Sequence, residues 1–396
     1  MYLKLPFKTL AKPSSISMLA VFFSFLAWEI PSFDILRKGY DIQQQFDVVS
    51  VVTLTLWYGL VFCAFFGGQK LGKVAVSSLQ IKTSYPLLDS DAVYWWFTVL
   101  AAIGTSIMFL TIVRSLSLPM LIFYLTAGQA NMLSIALHEN YSFGFVSLRY
   151  LVVYSAAIAF YRMVRSRSIS VLGVLNIVML ALNSTARLII ISTLLIAMFL
   201  LASEKRVVRI NIAKASILGG VVFSILSVVN FSRNYGFYES HGFSFWGAGV
   251  SEIVAYLDTP FQASVGSAKA LDDVVAGGGE TYRRYSGVEE SFNTNSAFVL
   301  LHEQIGYLAW PYIGLMCAFM GFVFSLMRTL GRTGFLLPCG GILYASSELW
   351  RLDMFQQGIF IVWFICGIGV PLGLLILKRT RTALSKMYPV HNPSTQ

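Results

Sequence analysis

The chain has 396 residues, of which 56% are hydrophobic and only 12% charged, with a mean hydropathy of +0.69. That much apolar surface exceeds what a water-soluble core can bury, so lipid must cover the rest. The formal net charge of +10 would suggest nucleic acid in a soluble chain, but here Lys and Arg sit in short clusters between apolar runs, which excludes a nucleic-acid partner and points to membrane topology.

A helix crosses roughly 30 Å of hydrocarbon at 1.5 Å per residue, so apolar stretches of about 17 to 25 residues are the predicted elements. Ten such segments predict an all-α polytopic membrane protein, a single integral membrane domain over 1–396. In chain order they are Ser14 to Ile30, Val48 to Gly67, Val93 to Val113, Phe145 to Val164, Ile169 to Ser184, Arg187 to Ala202, Ala215 to Ser232, Gly306 to Met327, Phe335 to Trp350 and Gly358 to Leu377. The fifth, sixth and ninth are short and are expected to tilt, kink or re-enter. The first follows a basic stretch (Lys4, Lys8, Lys12) but meets Trp28, Glu29 and Pro31 rather than a small-residue cleavage site, so it is expected to be a retained helix rather than a signal peptide.

With a cytoplasmic N-terminus, the inside segments carry Lys4, Lys8, Lys12, Lys70, Lys73, Lys82, Arg162, Arg165, Arg167, Lys205, Arg206, Arg209, Lys214, Arg328, Arg332, Lys378, Arg379, Arg381 and Lys386, which is 19 of the 29 basic residues. The positive-inside rule therefore predicts both termini in the cytoplasm of a bacterial inner membrane. Two outer segments stand out by length. Residues 114–144 open with Pro119 at a helix start and read as a helix lying at the outer interface. Residues 233–305 form a large periplasmic loop, in which Val250, Ile253, Val254, Leu257, Phe261, Val265, Ala268, Leu271 and Val275 recur at helical spacing. One or two amphipathic helices are expected there, broken at Pro260 and ended by Gly277, Gly278 and Gly279.

The basic residues left outside run against the charge bias. Arg187 in NSTARLIII, Arg233 in VVNFSRNYG and Arg351 in SSELWRLDMF each sit at a helix end. The plain reading is a snorkelling side chain; the functional one is convergence on a single diphosphate, whose oxygens a guanidinium fork grips bidentately. Glu348 lies one helical turn before Arg351 and is expected to share its face, where the two can simply neutralise one another. Arg149, early in the fourth segment, needs an internal partner. Glu303, beside His302 and ahead of the eighth segment, is the leading candidate general base, since desolvation at a membrane boundary raises a carboxylate's pKa; His302 is second. Pairing of Glu303 with a nearby Arg is the structural alternative. Glu252 and Asp258 are weaker candidates of the same type. Tyr235, Tyr238, Trp246, Tyr256, Tyr282 and Tyr285 give the loop an aromatic surface for stacking on sugars, although interface-belt tyrosines are equally common. Tyr256, Asp258, Arg283 and Arg284 are the glycan-contact candidates. The four cysteines, Cys63, Cys317, Cys339 and Cys366, lack metal-ligand spacing and read as packing residues, so no metal site is expected. The sequence holds no Walker motif, GxSxG or HExxH, so an enzyme here would use a substrate already activated and borne on lipid.

From Asn183 onward, about half the chain, the order NSTARLIIIS, VVNFSRNYG, EIVAYLDTPFQASVGSA and NTNSAFVLLHEQIGYLAWPYIGLMCAFMGFVFSL resembles the bacterial oligosaccharide repeat-unit polymerases, the O-antigen polymerase family. One departure is that Glu303, Gln304, Ile305 and Gly306 stand where the family pattern has an Asp closely followed by Gly. The resemblance implies a GT-C-like helical architecture with an outer loop closing over the substrate. It implies transfer of a growing glycan from undecaprenyl diphosphate to the non-reducing end of another lipid-linked repeat unit on the periplasmic face. It implies no cofactor, neither nucleotide nor metal, with membrane lipids and a chain-length-regulating membrane protein as partners. An O-antigen ligase shares much of this layout and would put His302 forward as the base. A flippase or transporter should show charges deep in several helices or paired broken helices, and neither is evident. A membrane acyltransferase would favour a His within a span, whereas His138, His241 and His302 are all predicted outside.

Overall fold

A computed structural model describes residues 2–5, 11–31, 38–79, 91–117, 119–120, 144–183, 187–203, 208–211, 216, 220–221, 223–224, 227–228, 245–277, 281–288, 295–329 and 335–387. These residues are almost all helical. In chain order the helices are α1 (Pro13–Glu29), α2 (Val48–Leu79), α3 (Asp91–Ser115), α4 (Val152–Ser166), α5 (Val171–Leu182), α6 (Arg187–Ser203), α7 (Phe245–Lys269), α8 (Leu271–Gly277), α9 (Thr281–Ser286), α10 (Ala297–Ile305), α11 (Ala309–Thr329), α12 (Leu336–Glu348) and α13 (Gly358–Met387). A short antiparallel ribbon joins β1 (Tyr2–Leu5) to β2 (Val208–Asn211), with Tyr2 opposite Asn211 and Leu5 opposite Val208.

Four stretches are long and apolar enough to cross a membrane: Val48–Ser78, Asp91–Arg114, Ala297–Thr329 and Gly358–Lys378. Pro13–Glu29, Val171–Leu182 and Leu188–Ser203 are shorter apolar helices. The apolar side chains on the outside of the long helices, among them Val48, Leu56, Phe66, Leu71 and Val74 of α2 and Ile365, Ile376 and Leu377 of α13, lie open to the surroundings. Such a belt is stable only against lipid. Nine of the ten predicted segments coincide with helices, and the seventh, Ala215 to Ser232, lies largely outside the described residues, as do 121–143 of the outer interfacial segment. The second segment runs on well past its predicted end, because Lys70 and Lys73 are no bar to a helix whose basic ends reach the headgroups; Lys70 folds back over the Phe66 ring.

The helix α12 explains its own continuous apolar run: nearly all of its residues are buried, so it is the centre of the bundle rather than a lipid-facing span. Around it, α2 and α11 form the tightest seam. Gly68 and Gly72, one turn apart on α2, face Ala318 and Phe322 of α11, and a Cβ on Gly72 would sit 2.5 Å from the Phe322 carbonyl. Gly321 returns the contact against the Phe65 carbonyl, again at 2.5 Å. Small residues at this spacing let two backbones approach, which is how helices associate where the surrounding solvent is as apolar as the side chains. Polar side chains fasten α5 to α3. Asn176 donates to the Tyr94 hydroxyl (3.1 Å) and the Thr98 hydroxyl (2.9 Å), and Asn183 to the Thr105 hydroxyl (2.9 Å).

Contacts between connecting segments sort the molecule into two ends. At one, β1 pairs with β2, Arg328 donates to the Ala11 carbonyl (2.7 Å), and Arg162 pairs with Asp91 (2.7 Å). At the other, the segment after α1 lies on α7, and α7 touches the end of α12. The first set joins segments assigned inside by the charge rule, the second segments assigned outside. Arg149 finds its internal partners in the Met108 sulfur and the Tyr150 hydroxyl, both at 2.9 Å, with its guanidinium 4.7 Å from the Tyr150 ring centre.

Candidate functional site

The end that the charge rule assigns outside is organised by α7. Its predicted break at Pro260 does not occur; the helix runs unbroken from Phe245 to Lys269. Proline removes one backbone donor and crowds the preceding turn. Here the helix from Asp258 to Ala268 is buried on all sides. Packing against α1 and α2 therefore holds the conformation that propensity alone disfavours. That burial carries Asp258, Thr259, Gln262, Ser264 and Ser267 into the interior.

Gln262 docks the connector between α1 and α2 onto this helix. Its Oε1 accepts from the Trp28 indole (2.7 Å) and the Gln44 backbone amide (3.0 Å), and its Nε2 donates to the carbonyls of Ile42 and Ser286, both at 2.8 Å. All four hydrogen bonds available to a side-chain amide are made. Tyr40 adds an antiparallel bridge to Val288, and Lys269 donates to the Gln44 side chain (3.2 Å). An aromatic cluster of Phe25, Trp28, Phe46 and Phe261 closes over the same place, with neighbouring ring centres 5.2 to 6.5 Å apart.

The docked connector brings Lys38 inside. Its ammonium donates to the Trp28 carbonyl (2.6 Å) and the Tyr40 hydroxyl (3.0 Å), so it satisfies an acceptor left free by the end of α1. Burial lowers the Lys38 pKa, opposed by the negative fields of Asp258 and Glu29. Asp258 is fully buried. The Thr259 hydroxyl lies 3.1 Å from its Oδ1, while its Oδ2 has no hydrogen-bond partner. Burial pushes its carboxyl up to about 7, against the pull of Lys38 and the Thr259 hydrogen bonds. A buried acid held near neutral pH with one oxygen unengaged, within the field of Lys38, is a candidate for proton transfer.

On another face of α7 stands the Arg351 cluster. Arg351 gives its Nε (3.2 Å) and Nη2 (2.9 Å) to Glu348 Oε2, and its guanidinium lies 4.5 Å from the Tyr256 ring centre. The Tyr256 hydroxyl donates to the same carboxylate oxygen (3.0 Å). The expected Glu348–Arg351 neutralisation is thus present, with a cation–π contact added. Tyr256 and Asp258 are two residues apart, about 200° around the helix, so the two clusters do not share a face. Of the three candidate arginines, Arg351 alone has a described side chain. Arg187 begins α6 without a described side chain, and Arg233 lies outside the described residues.

His302 is fully buried between Trp57, Phe298 and Trp310, with its Nδ1 2.7 Å from the Phe298 carbonyl. It belongs to the outer end of the α2–α11 seam. Glu303 is half-buried, with a buried Oε1 that lacks a partner. Both sit on α10, and among the described residues neither touches Asp258, Tyr256 or Arg351 through a hydrogen bond, ion pair or ring contact. The carboxylate is followed by Gly306, whose φ of +59° and ψ of −141° end α10 before α11. Arg283 is half-buried and Arg284 exposed on α9, which packs on α7. The side chain of Glu252 is not described. Sequence reasoning missed Lys38 and Gln262. The signal for Lys38 was available, since it is one of the basic residues the charge rule strands outside.

No known family, no curated protein and no solved structure matches this chain.

Proposed function

We propose that this chain is a metal-independent glycosyltransferase of ten spans. It polymerises undecaprenyl-diphosphate-linked oligosaccharide repeat units into a surface polysaccharide at the periplasmic face of the inner membrane, with both termini cytoplasmic. The observation that carries the reading is the buried Asp258 carboxyl, held near neutral pH within the field of Lys38, at the end of the bundle away from the basic clusters. In the transfer an acceptor sugar hydroxyl attacks the anomeric carbon of the lipid-linked glycan. The bond from that carbon to the diphosphate oxygen breaks, and the lipid diphosphate leaves with the bonding pair. The hydroxyl proton passes to a carboxylate, and Asp258 is the base we assign, with Glu303 the second carboxylate to test. A cation at the same end lowers the cost of the negative charge on the leaving group, and Lys38 and Arg351 are the described residues that offer one. Tyr256 and the exposed Arg284 remain the glycan contacts of choice on the outer face.

Deletion in the native host, read on a glycan ladder gel, tests the proposal. Loss of long chains with one capped repeat retained is the expected result. Loss of every repeat points to a ligase or flippase, and an unchanged ladder overturns the function. Complementation with Asp258→Asn should restore membrane protein but not chain length; a full ladder from that variant moves the base to Glu303.

A further inference from the structure

Opposite the candidate site, a cavity of about 390 Å³ opens between the N-terminus of α1, the late turns of α2 and the last turn of α11. Its described lining includes Lys12, Gln69, Lys73, Ser325, Arg328 and Thr329. Three cations from three helices therefore meet there, with no carboxylate among the described lining residues, and among the described residues no acidic group pairs with any of the three.

The cations are held differently. Arg328 is fixed, its Nη1 donating to the Ala11 carbonyl (2.7 Å) and its guanidinium 5.6 Å from the Phe324 ring centre, which leaves its other donors for a ligand. Lys12 is half-buried at the N-cap of α1, where the helix end adds a positive field and Pro13 occupies the first turn. Gln69 is buried and donates to the Ser14 hydroxyl (3.3 Å), tying α1 to α2 across the cavity floor. Lys73 is exposed. It sits between Leu71 and Val74, which are 64% and 65% exposed on the belt that only lipid can cover. A ligand that reaches all three cations thus has its charge at headgroup depth and apolar surface alongside.

We propose that this cavity seats the phosphate diester of an anionic phospholipid, with its acyl chains lying along the Leu71 and Val74 side of α2. Charge, chemistry and depth agree: three basic groups suit one phosphate, and a basic pocket between helix ends at a membrane surface is where anionic headgroups are held. The inference does not depend on the glycosyltransferase reading.

The test uses the full chain purified in detergent, with lipid adducts counted by native mass spectrometry. Wild type should bind phosphatidylglycerol in preference to phosphatidylcholine. Lys12→Gln and Lys73→Gln should each weaken phosphatidylglycerol binding about fivefold, the effect of one basic residue near a charged lipid surface. Lys70→Gln, three residues from Lys73 on the same helix but outside the cavity, should bind as wild type does. Among the described residues neither Lys12 nor Lys73 makes a side-chain hydrogen bond or ion pair, so these variants should fold. Equal binding of the two lipids by wild type, or equal loss in the Lys70 variant, overturns the proposal. Inorganic phosphate that displaces phosphatidylglycerol and itself depends on Lys12 and Lys73 would keep the phosphate seat but overturn the lipid as its occupant.

Discussion

The α2–α11 seam and the outer cap on α7 solve opposite problems. The seam has no polar side chain at its tightest points, only glycines that bring backbones together: Gly68 and Gly72 against Ala318 and Phe322, and Gly321 against Phe65. The cap is a network of buried polar groups in which Gln262 alone makes four hydrogen bonds and holds the connector that carries Lys38. Where lipid is the alternative solvent, shape is what one helix can offer another. Where the chain buries a group such as the Lys38 ammonium, surrounding hydrogen bonds hold it, because an unmade bond in such a place costs about 1 to 3 kcal/mol. The seam can therefore be expected to fail by steric overlap and the cap by loss of individual partners.

The largest effect should come from the seam. Gly321→Leu drives a side chain into the Phe65 backbone, which cannot give way as a flexible side chain can, so the variant should fail to yield monodisperse protein in detergent. Gly59→Leu, on the same helix as Gly68 but with no atom within 4 Å of its Cβ position, should behave as wild type by size-exclusion chromatography. Equal behaviour of the two variants would show that close approach is not what holds the seam.

Asp258→Asn comes next and separates chemistry from folding. If Asp258 is the general base of the proposed transfer, its loss should slow that reaction by about 10² to 10⁴-fold, while the wild-type rate should rise with pH and level off above about 7, where the carboxylate is ionised. Stability should move the other way. The folded Asp258 pKa is raised to about 7, whereas an unfolded Asp titrates near 3.9. Its contribution is therefore full below about pH 4 and lost as pH rises through about 7. The melting temperature of Asp258→Asn relative to wild type should accordingly be higher at pH 8 than at pH 5. A difference independent of pH would mean that Asp258 is ionised throughout.

Gln262→Leu should cost about 2 to 4 kcal/mol, since it strands the Trp28 indole, the Gln44 amide and two carbonyls together. The loss should be seen by thermal melting and accompanied by faster amide exchange across residues 40–46. Gln262→Glu keeps the acceptors but removes the two donations to Ile42 and Ser286, and so should fall between the two.

Much of this architecture was legible in the sequence, and the parts that were not share a cause. Hydropathy alone located the long helices, because a long apolar run is what a membrane span requires, and charge bias grouped connectors that the contacts also bring together. The Glu348–Arg351 pair was readable from its spacing. Burial of Asp258 was not: it requires a connector more than 200 residues away in sequence to fold over α7, and no local pattern records that. Pro260 misled for a related reason, since tertiary packing on every side of α7 overrides a local preference for a break. His302 was placed outside the spans because it precedes a long one, yet Trp57 of α2 and Trp310 of α11 enclose it together with Phe298 of its own helix.

Gly306 tests where the seam ends and the cap begins. It separates α10, whose start is tied to the cap by the Ser264–Ser296 hydroxyl pair (2.6 Å), from α11, which forms the seam. At φ +59° and ψ −141° it occupies a region open essentially to glycine alone, so a Cβ there is strained whatever the space around it. Gly306→Ala should therefore cost about 1 to 3 kcal/mol, the smallest of these effects, and its form matters more than its size. If the two regions are mechanically joined at this residue, relief of the strain by straightening α10 into α11 would carry Glu303 and His302 with it. Amide exchange should then quicken over 297–306 and leave α2 unchanged. Uniform destabilisation of both helices would instead make Gly306 a corner of one continuous core, with no division between seam and cap at that point.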